Sequence, residues 1–179
     1  MGDPRKNKKL YRRPRMIWTT DQLNAELYVM GSYGLRNKRE LWKAQTEVAR
    51  IRNQARALLA LSTEVRSEKE KRLLNFLNRL GLVKEGATLD DILNLKVEDL
   101  LERRLQTVVM KKASSKSPYQ ARQIVSHGHV SIGNRKVNIP GYLVRTAEEP
   151  QILLHIELPA PPGAEASSSP SQQQQPPAS

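Results

Sequence analysis

The chain contains no cysteine, only three histidines, and one Phe, two Trp and five Tyr in 179 residues. Without cysteine there is no disulfide framework, no zinc knuckle and no thiol nucleophile. His127, His129 and His155 alone are a poor ligand set, so no metal and no cofactor is expected. Apolar runs never exceed a few residues, far short of the roughly 20 needed to cross a bilayer, and no membrane partner is expected. The opening Met1-Gly2-Asp3-Pro4-Arg5-Lys6 has no apolar segment behind it, as a secretory signal would. A Gly-rich phosphate loop and a Ser/His/Asp constellation are both missing. The carboxylate pairs Asp90-Asp91 and Glu148-Glu149 read as first-turn dipole matching and as a loop. The expectation is a soluble cytoplasmic protein that is not an enzyme.

What the chain does have is positive charge. Thirty Lys and Arg face eighteen Asp and Glu, a net charge of +12. The charge is segregated: residues 1–60 carry +9, 61–100 carry −1, 101–146 carry +8 and 147–179 carry −4. Two basic blocks around a neutral middle suit a protein that holds a polyphosphate with two surfaces.

Residues 1–16 contain Lys8, Lys9, Arg12, Arg13 and Arg15 with Asp3 as the only acid. This self-repelling arm is expected to be disordered alone and to fold on an anionic partner. Thr19 or Thr20 caps a helix through about Met30 with Leu23, Leu27 and Met30 on one face, ended by Gly31 and Gly34. Asn37 and Glu40 have capping-box spacing. The long helix behind them carries Leu41, Ala44, Val48, Ile51, Ala55 and Leu58 at helical period, and Arg39, Lys43 and Arg50 fall on its opposite face. Ser67-x-x-Glu70 is read as the capping box of a further helix that ends at Gly81, and Thr88 opens a short one. These neutral pieces form a scaffold. A helix is expected from about Val97 to Met110. Ser117, Pro118 and Gln120 then cap another, which stops at His127-Gly128. Val130–Ile132 and Lys136–Ile139 around Gly133-Asn134 predict a hairpin, with further strands at Tyr142–Val144 and Ile152–Leu158. Trp18 and Trp42 are read as packing anchors. From Pro159 the chain is Pro, Ser, Gln and Ala with no basic residue, a composition read as disordered and not an RNA contact.

Residues 103–144, from Arg103-Arg104-Leu105-Gln106 through Ala121-Arg122-Gln123-Ile124-Val125-Ser126-His127-Gly128-His129-Val130 to Asn138-Ile139-Pro140-Gly141-Tyr142, resemble the RNA-binding domain named after ribosomal protein S-four. That module also occurs in RNA-modifying and ribosome-rescue factors, which stand as the alternative reading. The upstream segment Tyr33-Gly34-Leu35-Arg36-Asn37-Lys38-Arg39-Glu40-Leu41-Trp42 resembles the archaeal and eukaryotic branch of the small-subunit ribosomal protein four family. The likeness covers roughly residues 1–158. Lys111-Lys112-Ala113, Gly133-Asn134 and Gly141 depart from the common domain pattern, and the Cys cluster of some bacterial members is missing.

The resemblance implies an α+β fold: a basic arm (1–16), a helical domain (17–100), a small RNA-binding domain with a short antiparallel sheet (101–158) and a tail (159–179). It implies early binding to small-subunit rRNA at a multi-helix junction of the 5′ domain. It also implies proximity to mRNA where it enters the subunit, ribosomal protein five as a neighbour, and an influence on decoding accuracy. Candidate RNA contacts in the first block are the five arm residues above with Arg36, Lys38, Arg39, Lys43 and Arg50. In the second they are Arg103, Arg104, Ser114, Lys116, Ser117, Gln120, Arg122, Gln123, His127, His129, Arg135 and Lys136. Arg104, Arg122 and Lys136 are expected to be exposed. Shape readout through phosphates and 2′-hydroxyls suits such donors and needs few stacking aromatics.

Overall fold

Seven α-helices, a short 3-10 helix (Glu149–Gln151) and a three-stranded sheet are found within residues 9–113 and 115–155, the residues described in the computed structural model. The long apolar stripe builds α2 (Lys38–Leu59), whose Leu41, Trp42, Ala44, Val48, Ile51, Ala55 and Leu58 are buried. Around it pack α1 (Thr20–Ser32), α3 (Thr63–Leu80), α4 (Leu89–Asn94) and α5 (Val97–Glu102). Their shared core includes Leu77, Leu89, Ile92, Leu100 and Leu101. A second core, of Leu105, Val108, Val109, Ala121, Ile124, Val125, Val130, Val144 and Ile152, joins α6 (Leu105–Lys112) and α7 (Pro118–Ser126) to the sheet. In that antiparallel sheet β1 (Val130–Ile132) is central, flanked by β2 (Arg135–Lys136) and β3 (Ile152–Leu154). Mostly helical chain plus one small antiparallel sheet is the expected α+β class.

Several elements differ from expectation for identifiable reasons. The helix expected over Val97–Met110 is two helices. Arg104 is extended and pairs with Leu143. Leu105 N–H donates to Tyr142 O at 2.7 Å and Val144 N–H to Arg103 O at 2.9 Å. Segment 140–144 thus takes over hydrogen bonds a continuous helix would have made, so Tyr142–Val144 does not join the sheet. Helix α3 begins at Thr63, with Ser62 as its first flanking residue. Ser67 lies inside it and donates to Glu64 O, since nothing in residues 63–66 prevents helix. Helix α1 runs through Gly31 to Ser32, and Leu27 is exposed. The chain turns at Gly34, whose φ is +58° and where a Cβ would lie 2.6 Å from Pro118 Cβ. That close approach and left-handed backbone both require glycine. In the hairpin the second strand stops at Lys136, and Ile139 is exposed. Residues 152–154 form the last strand, while 156–158 and the tail from Pro159 lie outside the described residues.

Capping at Thr88 is as read: Asp91 Oδ2 accepts from Thr88 N–H at 2.8 Å. Ser117 Oγ likewise accepts from Gln120 N–H at 3.2 Å. Arm residues 9–16 are irregular but not free. Tyr11 stacks on Trp42 with ring centroids 5.9 Å apart, and Arg12 N–H donates to Thr46 Oγ1 at 2.9 Å. Trp42 is a packing anchor; Trp18, 85% exposed, is not.

Candidate nucleic-acid interface

Glu40 decides how the two basic blocks meet. It stands in the first turn of α2, at capping-box spacing from Asn37, but Asn37 makes no side-chain cap bond. The Glu40 carboxylate instead accepts from Arg104 Nη2 at 2.9 Å and from Arg122 Nη2 at 2.8 Å. Burial alone would raise its pKa. Hydrogen bonds from Arg122 and Arg104, and the charges of both, outweigh this and hold the carboxyl below its usual value. Beside it the Gln106 amide is shared among the carbonyls of Tyr33, Gly34 and Pro118 at 2.9–3.2 Å. These contacts fasten α2 and the turn before it to α6 and α7.

The expectation that Arg104 and Arg122 are exposed is therefore corrected. The Arg104 side chain is only 9% exposed and that of Arg122 21%. Arg103 is engaged too, donating to Glu149 Oε2 at 2.9 Å and to Val144 O. These three guanidiniums neutralise buried or half-buried acceptors, and an RNA phosphate would have to compete for them.

The remaining residues of the second block stay at the surface. Lys116 precedes the α7 N-terminus and is exposed, as are Gln123, His127, Arg135 and Lys136; Ser117, Gln120 and His129 are half-buried. Ser117 and Gln120 are occupied in capping, for Gln120 Oε1 also accepts from Lys116 N–H at 3.0 Å. His127 and His129 stack with centroids 6.3 Å apart. Ser114 lies outside the described residues.

In the first block Lys9, Arg12, Arg13, Arg15, Arg36, Arg39 and Lys43 are exposed. None of them has a carboxylate partner among the described residues. Arg50 pairs with Glu47 at 3.0 Å and Lys38 with the buried Glu26 at 3.1 Å. The expected stripe is split: Lys43 and Arg50 line a cavity of about 570 Å³ with Glu40, Arg104 and Arg122, whereas Arg39 lines another of about 580 Å³ with Lys9, Arg13 and Lys38. Lys8 lies outside the described residues.

A third basic cluster escaped the linear reading. Arg79, Lys84 and Arg145 line a cleft of about 1270 Å³ at the end of α3. Thr146 N–H donates to Arg79 O at 3.0 Å and creates that juxtaposition across 67 residues of sequence. No local pattern announces it. Among the described residues no group of His, Cys, Asp or Glu is placed to hold a metal, and no helix is long and apolar enough to cross a membrane.

Comparison with known proteins agrees with both halves of this architecture. The family model for the ribosomal protein S4/S9 N-terminal domain matches residues 4–102, and that for the S4 domain matches residues 103–149. The small ribosomal subunit protein uS4 of Ignicoccus hospitalis is 57% identical over 149 residues, spanning 83% of this chain and 90% of the relative. That of Nitrosopumilus maritimus is 55% identical over 152 residues, spanning 85% and 76%. That of Sulfolobus acidocaldarius is 51% identical over 150 residues, spanning 83% and 85%. With one family model over more than half its length and relatives of this identity over most of it, the chain belongs to the ribosomal protein S4 family, whose members are structural, non-enzymatic proteins of the small ribosomal subunit.

Proposed function

We propose that this chain is a structural, rRNA-binding component of the cytoplasmic small ribosomal subunit. In this reading it binds early in assembly at a multi-helix junction of the 5′ domain of the rRNA. It contacts neighbouring ribosomal proteins, protein five among them, near the path by which mRNA enters, and so contributes to translational accuracy. The supporting observation is the combination of small-subunit relatives across both halves of the chain with exposed cations on the arm, at the start of α2 and around β2 that have no carboxylate partner among the described residues. The contact set on this reading is Lys9, Arg12, Arg13, Arg15, Arg36, Arg39, Lys43, Lys116, Gln123, Arg135 and Lys136. Arg104 and Arg122 act by positioning the halves through Glu40, and Arg103 by holding residues 144–149. Structured RNA read by shape needs this kind of distributed phosphate contact. Sedimentation tests it: the full chain should stay with small subunits through a high-salt gradient. Release into the top fractions at salt that leaves other core proteins bound would reject the reading.

A further inference from the structure

The cavity between the arm and the start of α2 has an unusual lining. Lys9, Arg13 and Arg39 contribute three cations without a carboxylate partner among the described residues, beside Lys38, and no carboxylate stands on its wall. The acid paired with Lys38, Glu26, is 5% exposed and sits behind it, held by Lys38 Nζ and by Trp42 Nε1, each at 3.1 Å. Glu26 thereby orients the Trp42 indole on which Tyr11 stacks. The stack, with the Arg12 backbone bond to Thr46, holds the arm so that Lys9 and Arg13 come against Arg39. Tyr11 is further engaged by Lys9 Nζ, 4.9 Å from its ring centroid. The aromatic surface thus anchors the arm instead of offering itself to a base. At the N-terminus of α2 the Asn37 side chain leaves the first turn uncapped, which adds to the positive potential.

We propose that Lys9, Arg13 and Arg39 form a preformed cradle for one backbone phosphate of RNA, held open by the chain Lys38–Glu26–Trp42–Tyr11. The proposal rests on the rRNA-binding reading and narrows it. Cations that would otherwise repel each other are kept together by neutral and buried anchors, so little ordering is left for the moment of binding.

Binding of the full chain to a transcript of the 5′ domain of small-subunit rRNA, followed across a salt series, tests it. Arg39→Ala should weaken binding about 3- to 10-fold and lower the salt slope by about 0.7–0.9. Because one phosphate is shared, Arg13→Ala combined with Arg39→Ala should lower affinity further while the slope falls by no more than that same ~0.9. Tyr11→Ala should weaken binding, Tyr11→Phe should not, and Lys71→Ala on α3 serves as the neutral control. Unchanged thermal midpoints confirm that each variant is folded. A slope loss near 1.8 in the double variant means two separate phosphates and overturns the single cradle. Wild-type affinity and slope in all cradle variants overturn the site while leaving rRNA binding intact. A wild-type chain that ignores the transcript overturns the rRNA reading itself.

Discussion

A single carboxylate can tie two parts of a chain together when two guanidiniums converge on it. Glu40 does so with Arg104 and Arg122, 64 and 82 residues away. Glu40→Gln should cost about 2–3 kcal/mol, because it leaves the buried Arg104 charge uncompensated; chemical denaturation of the two proteins measures the difference. The same pair sets a pH dependence. The folded carboxyl titrates below its usual value, so its contribution is full above the ordinary carboxylate range and is lost as pH falls below about 4. Acid titration of stability should show that loss in the wild type and a flatter profile in Glu40→Gln. In the sequence Glu40 looked like a local cap. Its real partners are set by tertiary contact, and no spacing rule names them. The exposed cations were legible one by one, because an unpaired Lys or Arg is exposed by default. Arg103, Arg104 and Arg122 were not, since burial of an arginine depends on a partner that only the fold supplies.

Helices were legible where their ends carry a local signal that nothing overrides. Ser117 with Pro118 announces the start of α7, and its hydroxyl accepts the Gln120 N–H. Ser117→Ala should lower stability by about 1 kcal/mol. Ser67, the same residue type in an equally convincing pattern, lies within α3. Ser67→Ala should stay within about 0.5 kcal/mol of wild type. Thermal melts of the two variants side by side separate the true cap from the apparent one. The break between α5 and α6 was invisible for the opposite reason. Its sequence, Leu101-Glu102-Arg103-Arg104-Leu105, contains no helix breaker; the interruption comes from segment 140–144, which claims the backbone groups around Arg104. Propensity is a weak prior against such pairing.

Across the whole molecule, the segregation of charge along the chain was legible from counting alone, but not that the two basic blocks meet at Glu40, where Lys43 and Arg50 share a cavity with Arg104 and Arg122. Removing residues 160–179 takes away one acid, Glu165, and no base. Affinity for small-subunit rRNA and its salt slope should both remain within error of wild type, as a salt series on the truncated chain would show. The third cluster, around Arg79, Lys84 and Arg145, was not legible, because its members meet only through the Thr146 contact to the end of α3. The Gln106 amide, shared among the carbonyls of Tyr33, Gly34 and Pro118, has an effect that reaches beyond stability. It joins the turn before α2 to the start of α7 through one buried side chain. For an RNA that touches both basic blocks, the distance between them would then be a gauge set before the RNA arrives. A correctly folded junction presents its phosphates at the matching interval, while a misfolded one touches one surface or the other but not both. Discrimination between the two would come from this fixed interval, without a single base being read.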